Sequence, residues 1–173
     1  MRGVLQLHEL KSTQDATEML PRVLNLSNII FAPEPGSKYA SIAVWKERLP
    51  LPDAKILYMA PSSDPSNPIA FVFAHPRTHP LPLKFSETES LHVWLAGVLP
   101  ARRKEGCLSR MMAALEAESA VTLTVCTTPD KYPDMWAWLN GRGWSVEREL
   151  GRGKVMLSKY PSFAPSARTQ HED

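Results

Sequence analysis

Three basic side chains crowd the predicted start of a helix in this chain. The run Arg102-Arg103-Lys104 precedes Gly106, after which leucine and methionine residues recur at helical spacing. A helix N-terminus already carries partial positive charge, so cations are unfavourable there unless an anion binds. Backbone N–H groups of the first turn could hold a phosphate, and a glycine would let it approach closely. The pattern fits a phosphate site or, equally well, a solvated basic loop.

A long apolar strand, predicted over Ser90–Leu99, leads into this loop and is apolar on both faces, as expected of a central strand. Strict alternation predicts two faces, one with His92, Trp94, Ala96 and Val98, the other with Leu91, Val93, Leu95 and Gly97. Histidine titrates near neutral pH, so His92 could accept the proton of an ammonium group. The alternative for His92 is a hydrogen-bonded sheet histidine. Glu89, at the start of the strand, is a second candidate base.

The remaining elements follow from periodicity and turn residues. Further strands are predicted over Val4–Leu10, Lys55–Ala60, Ile69–His75, Val121–Thr127, Trp144–Leu150 and Lys154–Lys159. A helix capped by Ser12 or Thr13, with Asp15 in its first turn, is expected to kink or restart at Pro21. Other helices are predicted over Ser37–Leu49, Gly106–Ser119 and Asp134–Asn140, with an irregular connection over Pro76–Phe85. The order predicts a mixed α/β fold.

Length and composition limit the class of protein. The chain has 173 residues, which fits one domain over 1–160 followed by a polar, Pro/Ser-containing tail over 161–173 that we expect to be disordered. A net charge of +2 is too small for a nucleic-acid-binding surface. The two cysteines form no disulfide framework, and no Cys/His spacing suits a metal. No signal peptide or membrane span is apparent, so we expect a cytoplasmic protein.

The strand–loop–helix segment resembles the acetyl-CoA signature of the GNAT superfamily of N-acetyltransferases. That signature has a Val-x-Pro element and an Arg/Gln-x-x-Gly-x-Gly/Ala loop, matched here by Val98-Leu99-Pro100 and Arg103-Lys104-Glu105-Gly106-Cys107-Leu108. Leu108 departs from the small residue of the family and could narrow the pyrophosphate site. The stretch Met135–Trp144 is similar to the end of the last GNAT helix, with Gly143-Trp144 in place of Gly-Phe.

The resemblance implies a sheet of about seven strands that splays between the fourth and fifth, with about four helices. It implies that acetyl-CoA binds through the backbone of Ala96, Gly97 and Val98 and through the loop of Arg103, Lys104, Glu105, Gly106, Cys107, Leu108 and Ser109. Gly97 would leave the pantetheine arm unobstructed. A backbone N–H would polarise the acyl carbonyl, and an amine would attack it directly, without an enzyme nucleophile or a metal.

Such a reaction needs a base for the amine and an acid for the leaving thiolate. Many GNAT enzymes use a tyrosine of the last helix as the acid, but that place falls on Leu139 here. Tyr132 could substitute, or be an ordinary half-buried tyrosine, and Cys126 could be a polar group near the splay or a core thiol. By its offset, His92 resembles a strand histidine of arylalkylamine N-acetyltransferases, whose second histidine falls on Trp94.

Tyr39, Trp45 and Trp94 could line an apolar acceptor pocket or simply belong to the core. The function expected is transfer of an acetyl or short acyl group from acyl-CoA to a small primary amine in a ternary complex. A protein N-terminus or a lysine is an alternative acceptor. The alternative of another class is a degenerate GNAT domain that binds CoA or a protein partner without catalysis. We expect a monomer or homodimer that binds neither nucleic acid nor membranes.

Overall fold

A computed structural model describes residues 3–11, 16–32 and 40–161 of the chain. Within these ranges a seven-stranded sheet is covered by four α-helices, as predicted for a mixed α/β fold. The strands are β1 (Leu5–Leu10), β2 (Lys55–Pro61), β3 (Ala70–Thr78), β4 (Glu89–Val98), β5 (Leu123–Thr127), β6 (Ser145–Gly151) and β7 (Lys154–Lys159). The helices are α1 (Ala16–Phe31), α2 (Ile42–Arg48), α3 (Cys107–Glu118) and α4 (Pro133–Asn140), and a 3₁₀ turn spans Pro100–Arg102.

The sheet divides between its fourth and fifth strands. Its order is β1-β2-β3-β4-β5-β7-β6, and β4 and β5 run parallel while the other neighbours are antiparallel. The last β4–β5 pair is Val93 with Val125. Beyond it, β4 continues to Val98 on β3 and β5 continues to Thr127 on β7. The two strands therefore part after this pair, which is the splay that the sequence predicts.

A β-bulge at Trp94 overturns the predicted faces of β4. Phe73 pairs with Leu95 but Ala74 pairs with Val93, so Trp94 is the extra residue of the ladder. Strict alternation is therefore broken at this point. The α3 face of β4 carries Leu91, Val93, Ala96 and Val98, whereas the α1/α2 face carries His92, Trp94, Leu95 and Gly97. Ala96 and Val98 do not share a face with His92, contrary to the prediction.

Each face of the sheet has its own core. On one face α1 and α2 bury apolar side chains such as Val23, Leu26 and Trp45 against the first four strands. On the other face α3 buries Cys107, Met111, Met112 and Leu115, at the spacing of an amphipathic helix. The leucine and methionine residues predicted at helical spacing do lie on this side, where Leu108 is half-buried against the same core.

Several element boundaries differ from the predicted ones. The strand predicted to end at His75 passes through Pro76 and ends at Thr78. Its partner β2 pairs with it only as far as Ala74. One edge of β3 is unpaired from there on, and a proline is tolerated at such an edge. The helix α1 is continuous through Pro21 rather than restarted.

The turn Gly151-Arg152-Gly153 joins β6 and β7 as predicted, with Gly151 paired to Lys154. Other predictions fall outside the described residues: the caps Ser12 and Thr13, Asp15, the first part of the predicted helix Ser37–Leu49, and residues 162–173 of the tail. The division into one domain and a disordered tail therefore stays a prediction.

Candidate active site

The parting of β4 and β5 leaves one edge of β4 without a strand. From Ala96 to Val98 this strand pairs with β3 on one side only. The backbone N–H and C=O groups on the other side face the gap, where an extended ligand could pair with them as a strand would. Ala96, Gly97 and Val98, the residues predicted to bind pantetheine, all lie in this stretch. Their contact with CoA stays a prediction.

Gly97 lies directly against the helix that crosses β4. A Cβ placed on Gly97 would stand 3.0 Å from Ile30 Cδ1 and 3.2 Å from Phe31 Cζ, so α1 fills the space beside this glycine. The structure thus adds a packing reason for the glycine, and its predicted role of leaving the pantetheine arm unobstructed stays a prediction. The end of α1 is held against the edge of the gap as a result.

The loop before α3 has the backbone geometry of an anion site. Lys104 and Gly106 both have positive φ, 67° and 77°, and Gly106 caps the helix without a side-chain hydrogen bond. The first helical bond runs from Arg110 N–H to the carbonyl of Gly106, which leaves the preceding N–H groups of the first turn without an intrahelical acceptor. A Cβ placed on Gly106 would meet nothing within 4 Å, so the space beside this glycine is open.

The charged side chains of this loop are not equivalent. Arg102 is held by Glu105 in a bidentate pair, with Nε 3.1 Å from both carboxylate oxygens. Arg103 and Lys104 are exposed, and Arg103 Nε donates to the carbonyl of Val98 at 3.5 Å. The cations available to an anion are therefore these two, while Glu105 serves to neutralise Arg102.

The remaining predicted loop residues follow the first turn of α3. Cys107 is buried in the core, where burial raises the pKa of its thiol. Leu108 packs part of its side chain against the same core, so its extra bulk is not all directed at the loop. Ser109 is half-buried. These three residues could contact a phosphate through their backbone N–H groups, which stays a prediction.

Two histidines and two arginines meet on the α1/α2 face, where the strands begin to part. His92 is 5% exposed, and its Nε2 lies 3.3 Å from Nη1 of Arg77. Arginine can only donate, so Nε2 is the acceptor and the ring carries its proton on Nδ1. That Nδ1–H donates to Thr124 Oγ1 at 3.0 Å. Opposite His92 on β3 lies His75, with ring centroids 5.9 Å apart.

His75 repeats the arrangement of His92. Its Nδ1 lies 2.9 Å from the carbonyl oxygen of Pro76, which can only accept, so Nδ1 carries the proton. Its Nε2 accepts from Nη1 of Arg48 at 3.4 Å. The guanidinium of Arg48 also lies 3.9 Å from the ring centroid of Trp94, a cation–π contact. Both rings are therefore neutral, and each presents its free nitrogen to an arginine.

A chain of hydrogen bonds leads away from His92. Thr124 Oγ1 lies 2.7 Å from Ser90 Oγ, and Ser90 Oγ lies 2.7 Å from His79 Nε2. Because Thr124 accepts from His92, its own hydroxyl proton is free to be donated towards Ser90. These side chains are all buried. They form a path along which a proton could pass from one imidazole to another.

Burial and positive neighbours keep these histidines neutral. Burial, and next the charge of Arg77, hold the pKa of His92 well below its usual range, with smaller effects from His75, His79 and Lys154. Burial also lowers the pKa of His75, assisted by the charges of Arg48 and Arg77. At neutral pH a free imidazole nitrogen can therefore act as a proton acceptor without first losing a proton.

Tyr132 lies at the gap, whereas Leu139 is part of the core. Tyr132 is half-buried at the N-cap of α4, and its ring meets that of Phe31 edge to face with centroids 6.3 Å apart. Phe31 in turn lies against Gly97. Leu139 is 1% exposed among the core residues of the α3 face. The position of the usual tyrosine therefore carries a packing residue, and Tyr132 is the phenol that the structure brings to the gap.

Other predicted site residues are spread more widely. Glu89 is exposed on the face opposite His92, three residues before it and thus about 10 Å along the strand, and it does not join the histidine cluster. Trp45 is fully buried among aromatic rings and belongs to the core, whereas Trp94 is half-buried at the cluster. Cys126 Sγ accepts from Arg77 at 3.8 Å. Tyr39 lies outside the described residues.

Sequence reasoning missed Arg48, His75, Arg77 and Thr124. The signal for two of them is the spacing His75-x-Arg77, which places both side chains on one face of a strand. The interpretation of Pro76 as a strand breaker hid that signal. Arg48 and Thr124 come from distant parts of the chain, and only the folded sheet brings them together.

In the ranges that the structure describes, no group of three or more His, Cys, Asp or Glu side chains is arranged to hold a metal ion. Within the same ranges, no helix is both long and apolar enough to cross a bilayer.

Comparison with known proteins identifies the fold. No model of a known protein family matches the sequence, and no curated protein sequence matches it. Solved structures do match. An acetyltransferase from Thermus thermophilus is 16% identical, with a TM-score of 0.64 over 91% of this chain and 99% of that chain.

Two further matches were solved with CoA or acetyl-CoA bound. NAA60 from Arabidopsis thaliana, in complex with acetyl-CoA, is 13% identical, with a TM-score of 0.64 over 91% of this chain and 98% of that chain. The aminoglycoside N-acetyltransferase AAC(6')-Iy, in complex with CoA, is 13% identical, with a TM-score of 0.66 over 87% and 94% of the two chains. The predicted similarity to arylalkylamine N-acetyltransferases is not among these findings and stays a prediction. With its splayed mixed sheet and four helices, the chain has the GNAT fold of the acyl-CoA N-acetyltransferases.

Proposed function

We propose that the protein transfers an acetyl or short acyl group from acyl-CoA to a primary amine in a ternary complex. The observation that carries this proposal is the parting of β4 and β5 after the pair Val93–Val125, next to the open N-terminus of α3. An extended thioester needs backbone partners, and its pyrophosphate needs N–H donors and cations. The two features supply both kinds of group at neighbouring places.

The loop before α3 fits the donor substrate. The first-turn N–H groups from Gly106 to Ser109 are available to phosphate oxygens, and the helix dipole favours an anion at this end. Arg103 and Lys104 would neutralise its charge. Relatives of the same fold were solved with CoA and with acetyl-CoA, which supports this class of donor.

The transfer itself is a direct displacement. The amine nitrogen forms a bond to the acyl carbon, and the bond from that carbon to the CoA sulfur breaks. His92 Nε2 takes the proton that the amine loses, and the Nδ1 proton of His92 can pass to Thr124 and onward to Ser90 and His79. Tyr132 lies at the gap and is the candidate that gives a proton to the departing sulfur.

Arg77 limits this role of His92 in the structure. Its guanidinium donates to the same Nε2 that must receive the proton. Nε2 has a single lone pair, so His92 can take the proton, directly or through a water molecule, only after that donor turns away. Glu89 remains the alternative base, although its exposed position on the opposite face of the strand favours His92.

The proposal is tested by two measurements on the full chain. Thermal unfolding in the presence of acetyl-CoA at a hundred times its Kd should show a stabilisation of about 2.7 kcal/mol. Release of free CoA thiol should then be followed with acetyl-CoA and a panel of primary amines, peptides with free N-termini and lysine-containing peptides. Binding together with amine-dependent thiol release would support the transferase.

The alternative predicted from the sequence gives a different result. A degenerate domain would bind CoA and release no thiol with any acceptor, since its fold would serve only as a binding module. Absence of CoA binding would remove the transferase proposal. The cytoplasmic location and the monomeric or homodimeric state remain part of our proposal, to be checked by fractionation and by light scattering.

A further inference from the structure

The arginines of the histidine cluster carry positive charge that the described chain does not neutralise. Neither Arg48 nor Arg77 takes part in the ion pairs found among the described residues. Their hydrogen-bond partners are neutral: the Nε2 atoms of His75 and His92, and the thiol of Cys126. Glu47 affects Arg48 electrostatically but is exposed on α2 and outside ion-pair distance. Two half-buried cations therefore stand close together, and neither has an ion-pair partner among the described residues.

Most of the donors on these arginines are unused. A guanidinium has five N–H donors in a planar fork, and each of the two is seen to spend only its Nη1 on neighbours within the described residues. Each arginine is anchored to one of two rings whose centroids are 5.9 Å apart, so the two guanidinium groups lie in one neighbourhood. Such an arrangement suits a carboxylate or a phosphate, whose oxygens accept two parallel N–H bonds.

The position of this charge matters for the reaction. His92 pairs with Thr124 one step before the last β4–β5 pair, and Trp94 is the first residue of β4 beyond it. The cluster thus borders the point where the strands part and where, under the proposed function, the thioester must lie. Anything bound by the two arginines would sit beside His92 Nε2, on the face opposite α3.

We propose that the acceptor is an amine that also carries an oxyanion, a carboxylate or a phosphate, which Arg48 and Arg77 bind. This inference rests on the proposed function and names its acceptor class. A bound oxyanion accepts from the unused donors of Arg77 and pulls this guanidinium away from His92. Drawing that guanidinium towards the acceptor uncovers the Nε2 lone pair at the moment when the amine is in place. Amines with further positive charges are repelled by the same two arginines.

Matched acceptors test the inference. The rate of thiol release should be measured with phenylalanine against phenethylamine, and with phosphoethanolamine against ethanolamine, at saturating acetyl-CoA. We expect kcat/KM to be about tenfold to a hundredfold higher for the acidic member of at least one pair, the usual worth of a charge-assisted hydrogen bond. The pair that shows the preference identifies the oxyanion. Equal rates within both pairs would overturn the inference but leave the transferase intact.

Variants locate the effect. Arg48→Gln and Arg77→Gln should each reduce the preference for the acidic acceptor about tenfold or more, whereas Lys46→Gln, which removes an exposed cation from the same helix α2, should not. Stabilisation by CoA, measured for each variant, shows that the variant is folded and tests the donor site separately. A preference that survives both arginine substitutions would contradict the assignment.

A binding measurement covers the case in which no amine of the panel is a substrate. In the presence of CoA, N-acetylphenylalanine or N-acetylphosphoethanolamine should shift the imidazole NMR signals of His75 and His92, and the uncharged N-acetylphenethylamine and N-acetylethanolamine should not. The shift should be lost in the Arg48→Gln/Arg77→Gln double variant. Absence of the shift in the parent protein, or its persistence in the double variant, would refute oxyanion binding at this cluster.

Discussion

Gly97 of β4 lies directly beneath Phe31 of α1: a Cβ on the glycine would stand 3.2 Å from the Cζ atom of that ring. The same ring meets Tyr132 from α4 edge to face. A single glycine therefore lets the end of α1 approach the sheet and touch the residue that stands at the gap.

Gly97→Ala should test this contact. The added methyl would also stand 3.0 Å from Ile30 Cδ1, so we expect overpacking and a loss of about 1–3 kcal/mol in the free energy of unfolding. Gly141→Ala is a matched control, because its Cβ would meet nothing closer than 3.4 Å and its φ is −74°. Urea unfolding of both variants makes the comparison. If the two alanines cost the same, α1 does not depend on this glycine.

The donor loop is tested by Arg103→Gln and Gly106→Val. Arg103→Gln should weaken acetyl-CoA binding, because it removes a cation near the proposed phosphate site. Its control is Arg152→Gln, which removes a cation from the β6–β7 turn. Gly106→Val should weaken binding and also cost about 1–3 kcal/mol of stability, because a β-branched residue is strained at φ 77°. Calorimetric titration with acetyl-CoA measures the affinity. Wild-type affinity in both loop variants would place the donor elsewhere.

Leu139→Ala should affect stability rather than chemistry. The side chain is 1% exposed in the core, so its truncation should cost about 2–5 kcal/mol. The exposed Val146→Ala should change stability by no more than about 0.5 kcal/mol. Thermal unfolding and thiol release, both at a temperature where each variant is folded, separate the two effects. A rate loss of several decades in folded protein would mean that Leu139 acts in the site.

His92→Gln should remove an acidic limb from the pH–rate profile. Since burial and Arg77 lower the pKa of His92, the parent rate at saturating acetyl-CoA should fall only as pH drops below about 6.5. The substitution should cost roughly a hundredfold to ten-thousandfold in rate and leave acetyl-CoA affinity unchanged. His8→Gln, on β1, is the control. An unaltered profile and rate would make His92 structural and Glu89 the next candidate.

The same low pKa makes His92 a determinant of acid stability. The unfolded chain binds a proton near pH 6.5, whereas folded His92 resists it, so the free energy of unfolding should decrease as pH falls below 6.5. The decrease should be shallower in His92→Gln. Parallel stability curves for the two proteins would contradict this linkage.

Tyr132→Phe tests the candidate acid. Loss of the phenolic proton should lower kcat by about a hundredfold or more if Tyr132 protonates the leaving sulfur, with little change in stability because the ring contact with Phe31 is kept. Tyr160→Phe, which loses a hydrogen bond to Glu147 away from the gap, is the control. If Tyr132→Phe keeps the kcat of the parent, the leaving thiolate takes its proton from water and not from Tyr132.

The sequence allowed most elements and the open start of α3 to be predicted because both depend on local patterns. The alternation of apolar and polar residues, the position of Gly106 and the basic run before α3 are visible along the chain. The splay of the sheet was predicted from the resemblance to the GNAT superfamily. The faces of β4 could not be predicted, because the bulge at Trp94 depends on how Phe73 and Ala74 pair across the sheet. The cluster of Arg48, His75 and Arg77 was hidden for a similar reason, since it needs contacts between distant segments.

The bulge at Trp94 also sets the phase between the two halves of β4. The strand holds one residue more than its ladder with β3, so deletion of Trp94 would restore simple alternation and leave Leu95 and Gly97 towards α1 and Ala96 and Val98 towards α3. Pairing of the full strand without the bulge would instead reverse these four residues while His92 and Val93 stayed in place. Phe31 would then lose the glycine beneath it. The one extra residue thus decides which side chains beyond the bulge share a face with the histidine cluster.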